Sequence, residues 1–357
     1  MMHLLRSRLF LLSLFSLYFL GAYSQELTDV ILQDKFRSDL VTYKQFEVKH
    51  RRDIETKNVK LSYLQWGDTS TTERVFVWLH GSLSNAYEFM PFAQDMTDHG
   101  YRVLAIDQYN AGKTVAPVFD ASFDDLCSDI KFLFDHLKIK RVVIGGFSRG
   151  GFLATNFYKL YPDYVDALIL EDGGSVDFDH SYLHLDSLHL KEKLQQVNVP
   201  EDIKEKYFGY HRSKFEAYKS LYDPEETSNQ FQILSYIKPR GASWVTYHGQ
   251  PEYYHMQDSL HMSEVLFGSP KVSKYAASII NVRPAEIFQN LSVPVLIMDA
   301  RSSNDPIPIY EANRALAAQH PNLINHQVFE NIEHNIHYAN PNGFIKAIIS
   351  FLQSQPR

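Results

Sequence analysis

The sequence predicts an α/β fold: a mostly parallel central sheet with flanking helices and a helical cap inserted into it. Three observations carry this. Short apolar runs rich in branched residues alternate with amphipathic stretches from about residue 74 to 171. Residues 175–290 lack such runs and are charged and rich in Tyr and His. The strand pattern then resumes at Pro294. Strand–helix alternation is the signature of a parallel sheet covered on both faces.

Taken in order, residues 45–66 alternate like two strands and end in Gln65-Trp66-Gly67-Asp68. Arg74 to Leu79 is continuously apolar after its first residue, as a strand buried on both faces must be. It leads into His80-Gly81-Ser82. Ala86 to Asp98 has helical spacing, and Tyr101 to Asp107 is the next strand. Phe123 to Leu137 is a helix, Arg141 to Gly145 a β-branched strand, Phe152 to Tyr161 a helix and Ala167 to Glu171 a strand. Beyond the insertion follow a strand to Asp299, a helix over Tyr310–Gln319, a strand over Ile324–Phe329 and a helix over Pro341–Leu352. The expected organisation is therefore a core of residues 25–174 and 291–357 with a cap of 175–290. In open α/β sheets such a cap sits over the carboxyl ends of the strands, where ligands bind.

Composition bounds the rest. The 357 residues are 45% apolar and 22% charged, enough for a sizeable core. The formal net charge of −7 argues against nucleic acid as a partner. The one short basic run, Lys49-His50-Arg51-Arg52, reads as a solvated strand. Arg6 and Arg8, the apolar stretch Leu9–Leu20 and small residues at Ala22 and Ser24 form a secretory signal pattern with cleavage before Gln25. That pattern predicts a secreted or periplasmic protein with no stable membrane insertion once residues 1–24 are removed. Cys127 is the single cysteine, so no intrachain disulfide forms, and it reads as a buried apolar residue.

The chemistry concentrates at Gly146-Phe147-Ser148-Arg149-Gly150, a G-x-S-x-G pattern. A strand ends just before it and a helix begins just after, as a nucleophile elbow requires. A serine hydroxyl needs a base, usually His, oriented by an acid. After Ser148, the acid is sought beyond a late strand, where Asp305 stands, and the base in the last loop, where His334 stands and His337 is the runner-up. The backbone N–H groups of Arg149 and Ser82 are the expected oxyanion donors. No metal or cofactor is expected. His180, His184 and His189 match no zinc spacing. Ala111-Gly112-Lys113-Thr114 ends like a phosphate loop but has Asp107 where the first Gly must stand.

These features together resemble the α/β-hydrolase fold superfamily. The resemblance rests on Trp66-Gly67, His80-Gly81, Asp107, Gly146–Gly151, Asp305 with Pro308, and the His334 loop followed by Asn340-Pro341. It covers roughly residues 40–174 and 290–355. It implies the fold and a Ser148–Asp305–His334 triad but no particular substrate; the leading expectation is hydrolysis of an ester, with amide or lactone as alternatives, of a small or medium apolar small molecule. The chain departs from the family at Asp299-Ala300-Arg301 and at Asn331-Ile332-Glu333, where glycines are usual. Some relatives take the acid from the strand before the cap, which makes Asp172 the second candidate. Epoxide hydrolases and haloalkane dehalogenases carry Asp at the nucleophile, where this chain has Ser148. Lidded aminopeptidases, acyltransferases and a catalytically silent binding protein are the other readings.

Overall fold

The computed structural model describes residues 29–355 except 69–73, 183–184, 196–200, 202–203, 205–207, 227–228 and 304–307. The signal segment expected over residues 1–24 lies outside the described residues.

Eight strands form the main sheet: β1 (Arg51–Glu55), β2 (Lys60–Trp66), β3 (Val75–Leu79), β4 (Arg102–Ile106), β5 (Val142–Phe147), β6 (Val165–Glu171), β10 (Val295–Arg301) and β11 (Ile324–Glu330). Their order is β1-β2-β4-β3-β5-β6-β10-β11. The first two pairings are antiparallel. Every pairing from β4 onward is parallel. The wholly buried sequence of β3 follows from this position: Val75, Val77 and Leu79 enter one core and Phe76 and Trp78 the other. The first core holds helices α3 (Phe123–His136) and α4 (Arg149–Leu160) against the sheet. The second is closed by a 3₁₀ segment (Ala86–Phe92) and the C-terminal helix Pro341–Ser354. Cys127 is fully buried in the first.

After β3 the chain runs to β4 on one side and then to β5 on the other. The carboxyl ends of β3 and β5 therefore flank the switch point of the sheet, the crevice where such folds bind ligands. Helix α4 lies directly on this point. A Cβ added at Gly150 would sit 1.9 Å from the Leu79 carbonyl oxygen, and one at Gly146 would sit 2.3 Å from the Gly150 carbonyl carbon. Both obstacles are backbone, which cannot swing aside. Gly150→Ala is expected to lower stability by about 3 kcal/mol, the upper part of the usual overpacking cost, and a urea denaturation curve measures it.

The N-terminal part departs from the sequence expectation. Residues 29–50 are a helix, α1, so only 51–66 form the expected strand pair. The alternation over residues 45–50 is local, whereas Phe36, Leu40 and Tyr43 keep helical spacing and pack on the cap at Tyr218. The Tyr218 hydroxyl donates to Asp39 at 2.7 Å. The basic run is solvated only in part: Lys49 and Arg52 are exposed, and its third residue is not. Arg51 is buried and ion-paired to Asp107 at 2.7 Å and to Glu47 at 3.1 Å. Asp107 also accepts from the backbone N–H of Ala86 and of Lys113. One carboxylate thus ties the loop after β3 to the loop after β4.

Between β6 and β10 the described residues are mostly short helices, among them α5 (Ser187–Gln195), α6 (Lys214–Leu221), α7 (Ser259–Leu266) and α8 (Lys274–Asn281). They also include a three-stranded antiparallel sheet of β7 (Tyr210–His211), β8 (Lys238–Arg240) and β9 (Ser243–Val245), which the helical expectation did not contain. Strands of two or three residues leave too short a pattern to read from sequence.

Candidate active site

Ser148 joins β5 to α4 with φ 51° and ψ −119°, a conformation that non-glycine residues adopt only under constraint. The constraint is visible. Its N–H donates to the Glu171 carbonyl at 2.9 Å, and its own carbonyl accepts from Gly151 N–H at 2.9 Å. The turn pins the hydroxyl-bearing residue at the edge of a cavity of about 300 Å³.

His334 lies in the loop after β11 and lines the same cavity. Its Nδ1 lies 2.6 Å from Asp172 Oδ2. A carboxylate only accepts, so Nδ1 carries the proton and Nε2 is left as the basic nitrogen. The Phe147 ring packs on the imidazole at 4.7 Å between centroids. Asp172 is the residue just after β6, with its carboxylate buried. Its N–H donates to Met298 O at 2.9 Å, and its Oδ1 accepts from Ala300 N–H at 3.3 Å. Two neighbouring strands therefore hold this carboxylate under the imidazole. Asp305, the acid ranked first from sequence, lies outside the described residues. The position beside His334 Nδ1 is held by Asp172, the second candidate.

The two expected oxyanion donors, Ser82 and Arg149, both line the cavity beside Ser148. The preceding N–H, that of Gly81, is already engaged: it donates to both oxygens of Glu88 at 3.2 and 3.1 Å. Trp78 Nε1 donates to the same carboxylate at 2.9 Å. Burial raises the Glu88 carboxyl above the usual range. His80 is pulled down to about 4 by burial and stays neutral. Its Nε2 accepts from Gln108 N–H at 3.1 Å, which leaves Nδ1 to donate to the Gly81 carbonyl at 2.7 Å. These bonds fix the loop that presents Ser82.

His337 does not reach the cavity. It is buried against Glu171, whose carboxylate accepts from His337 N–H and from Nδ1, both at 2.8 Å. Burial pulls its pKa down, but the Glu171 charge and hydrogen bond outweigh that and hold it above the ordinary histidine value. The pair fastens the His334 loop to the end of β6. From sequence His337 reads as the runner-up base, and the His334-x-x-His337 spacing, which lacks further metal ligands, reads as surface or core histidines; His337 is a core histidine. Glu88 carried no signal at all.

The rest of the cavity wall comes mainly from the cap: Phe178, Tyr182, Tyr254, Met256, Met262, Val265 and Ile279. Phe215, Tyr218 and Tyr222 pack in a core of the cap, Tyr210 belongs to a strand, and Tyr207 lies outside the described residues. Phe208 lines a second space of about 620 Å³ that shares Ser82, Leu83, Phe147 and Asn335 with the first. No group of three or more His, Cys, Asp or Glu residues suited to a metal occurs among the described residues. No described helix is long and apolar enough to cross a membrane.

The fold agrees with comparison to known proteins. Residues 74–238 match a family model described as the alpha/beta hydrolase fold. The chain has the α/β-hydrolase fold. Over 120 residues it is 32% identical to Epoxide hydrolase 1 of Caenorhabditis elegans, covering 33% of this chain and 29% of that protein. Over 130 residues it is 32% identical to the sn-1-specific diacylglycerol lipase ABHD11 of Danio rerio, covering 36% of this chain and 39% of that protein. The matched segments thus span under half the length of these relatives. The crystal structure of E-2-(acetamidomethylene)succinate hydrolase superposes with a TM-score of 0.60 over 85% of this chain and 99% of that one, at 17% identity. At that identity the likeness is one of fold. The first relative and the superposed structure are hydrolases by name, and the second relative is a lipase by name.

Proposed function

We propose that the protein is a serine hydrolase that cleaves an ester through Ser148, His334 and Asp172. The observation that carries this reading is the 2.6 Å contact between His334 Nδ1 and Asp172, made beside a serine held at positive φ on the same cavity. Ser148 Oγ attacks the ester carbonyl carbon while His334 Nε2 takes the hydroxyl proton. The backbone N–H groups of Ser82 and Arg149 stabilise the oxyanion that forms. As the ester C–O bond breaks, His334 returns the proton to the leaving alcohol and an acyl-enzyme remains. Water, deprotonated by His334, then releases the acid. Asp172 stays ionised throughout and holds the imidazole in its working tautomer.

A mostly apolar wall around about 300 Å³ suits a small or medium acyl group. A serine at the elbow favours ester cleavage over the epoxide chemistry named for one relative, since the family's epoxide hydrolases carry Asp there. Hydrolysis of p-nitrophenyl esters of graded acyl length tests the reading. Rates should peak at short to medium chains; no hydrolysis at any length by the folded protein would overturn the ester assignment.

A further inference from the structure

Arg149 follows the nucleophile, and its side chain is buried in the cavity wall, with the residue only 2% exposed. A guanidinium cannot shed its charge in a protein. Of the other buried guanidinium groups, Arg51 is met by both Asp107 and Glu47, whereas Arg102 donates to Gln65 Oε1 at 2.7 Å and forms no ion pair among the described residues. Arg149 forms no ion pair among the described residues. Its Nε donates to Ser82 Oγ at 3.1 Å, and its Nη2 lies 3.9 Å from the Met256 sulfur. Its flat face lies over the Tyr254 ring at 4.6 Å. Nη1 has no hydrogen-bond partner among the described residues. The ionisable groups closest to it in effect are the phenols of Tyr254, Tyr275 and Tyr253. Burial raises all three above the ordinary tyrosine value, so they are neutral.

A buried, uncompensated charge with an orphaned donor is costly, and a stacked tyrosine offsets only part of it. Of the groups around the guanidinium, Ser82, Tyr254 and Met256 line the cavity that holds Ser148, and the Phe123 ring lies 6.0 Å away in the core. The missing anion therefore belongs in that cavity. Met256, with an unbranched thioether, can move aside to admit it.

We propose that the substrate carries a free carboxylate that pairs with the Arg149 guanidinium, so that the ester cleaved at Ser148 is a half-ester of a short dicarboxylic acid. The planar fork of Arg149 accommodates a carboxylate, with the orphaned Nη1 as one of the two donors. The apolar cap residues surround the methylene chain. This deepens the serine-hydrolase reading and depends on it for the position of the ester, but not for binding of the anion.

The test is therefore a binding measurement on the full chain carrying Ser148→Ala. Titration calorimetry compares monomethyl glutarate with dimethyl glutarate, which has the same chain but no charge. The monoanion should bind at least about tenfold more tightly, the ordinary worth of a charge-assisted hydrogen bond. Adding Arg149→Met should reduce that ratio to below about twofold. Arg149→Lys should retain part of it and serves in place of Arg149→Met if that variant does not fold. Equal affinity for the two esters, binding of neither, or a preference that survives loss of the Arg149 charge would overturn the proposal. Failure of the catalytic reading shows elsewhere, as ester hydrolysis that persists in Ser148→Ala. A preference for the monoanion without Ser148-dependent turnover would sink that reading alone.

Discussion

Ser148→Ala is expected to lower ester hydrolysis by about 10⁴-fold or more, the loss typical of removing a nucleophile that acts as one unit with its base. The fold should be unaffected. The strained turn is held by backbone bonds to Glu171 and Gly151, which alanine keeps. The hydroxyl has no structural duty as a helix cap, since it accepts no capping bond. A melting temperature within a few degrees of the parent, together with lost turnover, separates chemistry from stability. Hydrolysis at more than about a tenth of the parental rate would mean that another group attacks.

The second large effect concerns the acid. Asp172→Asn should lower kcat by about 10⁴-fold, because an amide nitrogen facing Nδ1 favours the tautomer that protonates Nε2 and so removes the base. The carboxylate is buried and also accepts from Ala300 N–H, so the asparagine carbonyl oxygen has a competing donor to satisfy. Asp305→Asn is expected to leave kcat within about twofold. Parallel rate measurements on the two variants decide between the carboxylates; the reverse ranking would return the role to Asp305.

Why the sequence favoured the other carboxylate is instructive. Asp172 follows β6 and Asp305 lies beyond β10, and these strands are neighbours in the sheet, with Glu171 in register with Met298. Asp172 emerges at the carboxyl edge of the sheet, whereas Asp305 lies outside the described residues. The succession of strands along the chain can be inferred from alternation, but which carboxylate meets an imidazole 162 positions from Asp172 depends on loop geometry that no local pattern encodes. Ser148 was legible because its whole requirement is local: a buried strand, a tight turn and a helix in immediate succession. His334 was legible by order along the chain. The buried ion pairs were not legible. Arg51 sits in a run of four basic residues, and nothing nearby in sequence reveals that Asp107, 56 positions on, meets it at 2.7 Å. The orphaned guanidinium of Arg149 was equally hidden, because the sequence reading assigned that residue only its backbone N–H.

The strain at Ser148 and the clustering of buried polar groups around it fit a common trade. Sites that need a nucleophile at an unusual φ, or a carboxylate inside the core, are stabilised by the structure that surrounds them. Here that structure is the Glu171–His337 pair, the Glu88 anchor on Gly81, and the glycine contact between α4 and β3.

The central claim is that Ser148 is a nucleophile activated by His334, and the most direct measurement is covalent trapping. The folded protein is treated with a fluorophosphonate and digested, and the modified peptide is mapped by mass. The account predicts a single adduct on Ser148, lost in Ser148→Ala and strongly slowed in Asp172→Asn. No adduct, or an adduct on another residue, would contradict it.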